Sequence, residues 1–203
     1  EGLVTATEAI KIAVKSGHGV GKSACAAWIL LWSFSTFPDT IGVVTANTEN
    51  PLRTKTWVAL SRCFNFFIAK ELFRITNTAL FARDPDLKTT WRLDMVPWSE
   101  KNTEAFAGLH NLRKRLIVLY DEASAIPDVI HSVTMGALTD KDTEIIWVML
   151  GNPTKNTGRF RECFEGGRFA HRWLTSTVDS RTVSFTNKKQ IHEWEEDYGE
   201  DHD

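Results

Sequence analysis

No apolar run in the sequence is long enough to cross a membrane. The longest, Ala24 to Trp32, falls far short of the roughly 18 apolar residues that a spanning helix needs. The chain begins at Glu1 without an initiator Met, and nothing near that end combines a basic patch, an apolar segment and a cleavage site. No secretory signal is therefore expected, and the segment reads as a piece of a longer chain. Cysteines are few and scattered: Cys25, Cys63 and Cys163 form no C-x-x-C pair and stand near no histidine cluster at ligand spacing. That excludes a disulfide framework and a zinc site, and leaves reduced thiols in a cytoplasm as the expectation. Neither charge sign is in excess, with 24 Lys and Arg against 26 Asp and Glu. A surface coated in positive potential is excluded, so any contact with nucleic acid must be local. What is present is 203 residues, 42% of them apolar, with eight tryptophans. This is enough for one domain with a substantial core and a short appendage.

The pattern along the chain alternates strands and helices. Lys11 to Val14 is β-prone and runs into a glycine-rich turn, Ser16 to Gly21, then into an apolar-rich helix that ends before Pro38. Ile41 to Ala46 reads as a strand, the polar Asn47 to Asn50 follows, and Asn50 before Pro51 fits a helix cap. Trp57, Leu60, Phe64, Phe67 and Ile68 recur at helical spacing, while Trp91, Leu93 and Met95 alternate with polar residues as a half-buried strand does. Ser99 to Asn111 predicts a short helix and a turn around Gly108, and Pro127 to Met135 a further helix. Leu116 to Tyr120 and Ile145 to Leu150 are unbroken apolar runs, as in parallel strands covered on both faces. The expected fold is α/β with a mostly parallel sheet. From Thr182 the character changes, and Gln190 to Asp203 is an acidic stretch anchored only by Trp194 and Tyr198. It predicts a surface helix leading into a linker.

Three elements carry chemistry. Ser16-Gly17-His18-Gly19-Val20-Gly21-Lys22-Ser23 is close to the phosphate-loop pattern G-x-x-x-x-G-K-[ST], with Ser16 in place of the first glycine. Glycines let backbone N–H groups turn inward around an anion, and the following helix adds its positive end. Lys22 can then reach the β- and γ-phosphates, and Ser23 can join a Mg²⁺ shell. On pattern alone, a glycine-rich β–α turn with an incidental Lys-Ser pair would look the same. The second element, Leu116 to Glu122, is an apolar strand ending in two carboxylates, as in a Walker B motif. Asp121 suits Mg²⁺, and Glu122 suits orienting and deprotonating a water. The third is Gly151-Asn152-Pro153-Thr154, directly after a buried strand, where Asn152 and Thr154 can sense a γ-phosphate; alone it is no more than a β-turn.

Together these elements resemble the ATPase domain of the large terminase subunit, the DNA-packaging motor of tailed phages and related viruses. The more specific marks are Asn102 to His110, with Phe106-Ala107-Gly108-Leu109-His110 shortly before the Walker B strand, and Gly-Asn-Pro-Thr followed by Gly158 and Phe160. The resemblance runs from about Ile12 to the end. It implies a three-layer P-loop NTPase fold of the RecA-like (ASCE) type over residues 1–180, with 181–203 as an acidic helix and linker toward a nuclease domain outside this segment. It further implies ATP and Mg²⁺ as cofactors, with Ser16 to Ala24 on the nucleotide, Ser23 and Asp121 on the metal, and Lys22, Asp121, Glu122 and Asn152 in catalysis. Asn152 and Thr154 would couple hydrolysis to movement. The implied partners are double-stranded DNA, a portal protein, a small terminase subunit and further copies in a ring, in the cytoplasm of a bacterial host, with no membrane and no DNA-cutting activity.

One departure is His18, where large terminases often carry Arg near the γ-phosphate. It reads here as a tolerated loop residue, so an arginine finger must come from elsewhere. Arg53, Arg92, Arg113, Arg115 and Arg159 are candidates, each with ordinary surface charge as the plainer reading. Arg113-Lys114-Arg115 and the pair Arg53 and Lys55 are candidate contacts for DNA phosphates, although a solvated loop explains the former as well. Trp57, Trp91 and Trp98 read as core rather than base-stacking residues. Two other functions fit the same motifs: a docking module that binds nucleotide without turnover, and a helicase-like DNA-stimulated ATPase.

Overall fold

The apolar runs lie side by side in one eight-stranded sheet in the computed structural model, which describes residues 9–46, 52–99 and 103–199. In chain order the elements are β1 (Ile10–Ser16), α1 (Lys22–Ser35), β2 (Ile41–Thr45), α2 (Trp57–Asn65), β3 (Phe73–Ile75), β4 (Ala79–Ala82) and β5 (Arg92–Met95). They continue with α3 (Glu104–Ala107), β6 (Arg115–Tyr120), α4 (Asp128–Thr134), β7 (Glu144–Gly151), β8 (Leu174–Val178) and α5 (Lys188–Tyr198). The sheet order is β3-β4-β5-β2-β6-β7-β1-β8, with every pairing parallel except the two that β4 makes. β7 therefore stands between β1 and β6. The C-terminal ends of these three strands are neighbours, where an open α/β sheet forms its binding crevice.

Alternation along the strands divides the core into two. Ile117 and Leu119 of β6 join Leu30 and Phe34 of α1 and Leu60 and Phe64 of α2 on one face. Leu116, Val118 and Tyr120 join Phe106, Ile130, Phe160 and Phe164 on the other. These are the three layers expected of the fold. Trp57 is buried, and Trp91 packs against the first of these cores and Trp98 against the second, as read from their spacing.

The structure departs from the sequence reading in several places. α2 ends at Asn65, so Phe67 and Ile68 lie beyond it; Phe67 turns into the core, whereas Ile68 is almost fully exposed. The β3–β4 hairpin was not foreseen, because its strands are short and show little alternation. β8 was missed for a different reason: Leu-Thr-Ser-Thr-Val is mostly polar and lies on an exposed edge. The expected cap at Asn50 and Pro51, the polar Asn47 to Glu49 and the motif residue Asn102 lie outside the described residues, as does the end of the acidic tail.

Arg115 is a buried residue at the start of β6. It forks onto Glu144 at 2.9 and 3.2 Å, donates to the Ser33 carbonyl at 2.7 Å, and lies over the rings of Trp32 and Phe37. Lys114 pairs with Asp39 at 2.8 Å. Both stand at the N-terminal end of β6, roughly 20 Å of strand away from Asp121. They anchor the base of the sheet and are not placed to meet a nucleotide in the same chain.

His131 of α4 is buried, stacked on Trp147 and edge-on to Tyr120. Burial, aided by the charge of Arg159, pushes its pKa down from 6.5 to about 4. The unfolded chain therefore binds more protons than the folded one between these values, and stability rises with pH across that window. We expect the imidazole to contribute fully above pH 6.5 and to lose on the order of 3 kcal/mol as pH falls through about 4. Urea unfolding of the parent and of His131→Phe across pH 4 to 7 checks this. The variant should show a flatter profile, and equal slopes would contradict it.

Candidate active site

β1 delivers the chain directly into the glycine-rich turn, and α1 starts at Lys22. Gly21 caps α1 at φ 89, in the left-handed region that L side chains rarely adopt, so the turn into the helix requires glycine. No acidic side chain occupies the first turn of α1, which leaves its positive end available to an anion. Lys22 folds back over the loop, donating to the Gly17 carbonyl at 2.7 Å and to Ser16 Oγ at 3.2 Å. Half-burial lowers its pKa, while the charges of Asp121 and Glu122 act in the opposite direction. The loop and the acidic strand tip thus face each other.

Asp121 leaves the end of β6 with its backbone N–H on the Thr45 carbonyl at 2.8 Å. Its carboxylate accepts hydrogen bonds from the Thr56 hydroxyl and, at 2.9 Å, from the Glu122 backbone N–H. Burial raises its pKa, against which these two bonds act. Glu122 sits in the left-handed region at φ 51, a strained position for a non-glycine residue and a common feature of functional sites. Its carboxylate meets Lys55 at 3.4 Å. Both side chains are partly exposed, so the pair is worth no more than about 1 kcal/mol.

The third element closes the site. Thr154 bonds back to the Asn152 carbonyl at 2.9 Å, and its hydroxyl lies 3.1 Å from that of Ser124, two residues after Glu122. Asn152, Pro153 and Thr154 line a cleft of about 540 Å³ together with Lys15, Ser16, Gly17 and His18, a volume in the range of small-molecule sites. Val178 to Arg181, with Ile191, Trp194 and Glu195 of α5, form its other wall.

Arg181 and α5 belong to the segment read from sequence as helix and linker, whereas Val178 to Ser180 fall within the expected ATPase domain. Ser180 donates to the His18 carbonyl at 2.9 Å and packs so closely that a Cβ on Gly17 would lie 2.2 Å from its hydroxyl. Lys188 donates to the carbonyls of Ser180 and Arg181, and Arg181 reaches Glu195 at 3.3 Å, tying this turn to α5. Apart from the two carboxylates' own motif, sequence reasoning missed Thr56, Ser124 and Ser180, and took Lys55 only for a DNA contact. Thr56 and Lys55 arrive on a π-helical turn, Leu52–Thr56, ahead of α2. Such turns are frequent at functional sites but leave no pattern in sequence.

Of the arginines considered as fingers, Arg92 is held by Asp94 and Arg115 by Glu144. Arg159 lies over the Phe169 ring at 4.0 Å, with its backbone N–H on Asp128. Arg53 shares the turn of Lys55.

The parallel sheet, with β7 interposed between the phosphate-loop strand and the acidic strand, defines a P-loop domain of the RecA-like type. No family model matches the chain. A curated relative, the probable large terminase subunit of Enterobacteria phage P7, is 32% identical over 155 residues, which cover 72% of this chain and 30% of that protein. The large terminase of a thermophilic bacteriophage, solved in complex with ADP, superposes with a TM-score of 0.66 at 13% identity over 93% of this chain and 45% of its own. The large terminase ATPase domain of Thermus phage P74-26 gives 0.62 at 18% identity over 91% and 80%. The chain is a relative of the phage large terminase subunits, with the fold of their ATPase domains. It spans less than a third of the length of the curated relative.

Proposed function

We propose that this chain is the ATP-hydrolysing motor domain of a large terminase subunit and drives double-stranded viral DNA into a procapsid. The observation that carries this is the convergence of Lys22, Asp121 with Glu122, and Asn152 with Thr154 at the ends of three adjacent strands. That the thermophilic phage's terminase is solved in complex with ADP supports a nucleotide as the ligand. In this reading Ser16 to Ala24 cradle the phosphates and Lys22 neutralises charge on the terminal one. Glu122 orients the attacking water and takes its proton, and Asn152 with Thr154 relays the state of the site toward Ser124 and the cleft.

The residues also fit Mg²⁺. Asp121 and the Ser23 hydroxyl are hard oxygen donors, and among the described residues no group of three His, Cys, Asp or Glu side chains forms a cage of its own. Magnesium in nucleotide sites is held in this way, by one or two side chains with the phosphates, and supplies charge neutralisation there.

No helix among the described residues is long and apolar enough to cross a membrane. We place the protein in the host cytoplasm, acting in a ring on a portal with the small terminase subunit. In this reading residues 1–180 are the motor domain and 181–203 its acidic helix and linker. Nucleotide titration by calorimetry, with Mg²⁺ and then with excess chelator, tests the cofactor assignment. Tighter binding of ATP with the metal is expected, and indifference to it would remove Ser23 and Asp121 from the metal role.

A further inference from the structure

A second lysine, Lys55, pairs with the carboxylate assigned to activate water. The π-helical turn Leu52–Thr56 brings two successive side chains onto the acidic pair: the Thr56 hydroxyl bonds Asp121, and Lys55 Nζ lies 3.4 Å from Glu122 Oε1. The two contacts differ in character. Thr56 and Asp121 are buried, so their bond is fixed, whereas the side chain of Lys55 is 64% exposed and that of Glu122 37%. An exposed lysine on a long stem, in a weak pair, is free to change partners at little cost. The charge of Lys55 also opposes that of Lys22, the lysine of the phosphate loop, and an anion held by both would relieve that opposition.

We propose that Lys55 senses the terminal phosphate: without it Lys55 holds Glu122 by their ion pair, and when it arrives Lys55 turns to the phosphate and leaves the carboxylate to orient water. This rests on the ATPase reading above. It makes hydrolysis conditional on a full triphosphate, and it supplies from within the chain a second positive charge beside that of Lys22. Because the pair involves only the terminal phosphate, a diphosphate should leave Lys55 on Glu122.

The test is the preference for triphosphate over diphosphate in the parent chain, Lys55→Met and Lys55→Arg, measured with a non-hydrolysable ATP analogue and with ADP, alongside turnover. In Lys55→Met, ADP affinity should stay within about twofold, analogue affinity should fall about tenfold, and turnover at saturation should fall at least about tenfold. Lys55→Arg should recover most of the preference. An unchanged ratio of the two affinities in Lys55→Met would overturn the sensing role, and so would an equal loss of both, which marks a structural effect. A parent chain that binds neither nucleotide would overturn the ATPase reading itself, and sensing with it.

Discussion

Replacing Lys22 with alanine is expected to weaken ATP binding by about 10- to 150-fold, the range for losing one hydrogen bond to a charged group. The fold should survive. In the free protein Lys22 holds the Gly17 carbonyl and Ser16 Oγ, both within its own loop, and its half-buried ammonium already bears a cost of desolvation. When phosphate arrives that cost is offset by opposite charge, so the lysine contributes more to the bound state than to the free one. Titration of the variant by calorimetry, with thermal unfolding as a control, checks this. Binding equal to that of the parent would remove Lys22 from the phosphates.

Replacing Glu122 with glutamine should act on the reaction and spare affinity. The amide keeps the shape of the side chain and can still accept a bond from Lys55, but it cannot take a proton. Turnover should fall by about 10²- to 10⁴-fold, the contribution of a positioned general base. The turn at Glu122 is held by its backbone N–H on the Asp121 carboxylate and by the Ala125 N–H on its carbonyl rather than by its own side chain, so the exchange leaves it in place. Single-turnover hydrolysis with ATP pre-bound separates the two effects. A variant that binds normally and hydrolyses at the parental rate would require another base.

The parts of this site that sequence revealed are those built on regular elements. Leu116 to Tyr120 is an unbroken apolar run of strand length, which reads as a strand buried on both faces with Asp121 at its tip. The glycines of Ser16 to Gly21 and the apolar helix after Lys22 place the loop in the same way. Thr56 reaches Asp121 across 65 residues of sequence through a π-helical turn, and neither its type nor its spacing announces this. Lys55 read as a contact for DNA phosphates because a basic pair, Arg53 with Lys55, carries no sign in sequence of the carboxylate it meets in the fold.

The C-terminal segment shows a different limit. Its acidic composition and isolated Trp194 describe a surface helix correctly, and α5 is one. Composition does not tell against which surface it lies. The contact is made by Ser180 on the His18 carbonyl, by Arg181 on Glu195 and by Lys188 on backbone carbonyls, all short-range polar bonds with no hydrophobic period. The cleft wall formed by Val178 to Arg181 was therefore invisible in the pattern, as was the edge strand β8 that leads into it.

In the proposed function, three strand ends form one ATP-hydrolysing site. Steady-state phosphate release from ATP with Mg²⁺, by the parent chain and Glu122→Gln side by side, with and without double-stranded DNA, tests it most directly. Turnover that is lost in the variant and stimulated by DNA in the parent is the expected result. Tight ATP binding by both proteins with no phosphate released by either, at any DNA concentration, would contradict the motor and leave a nucleotide-bound docking module in its place.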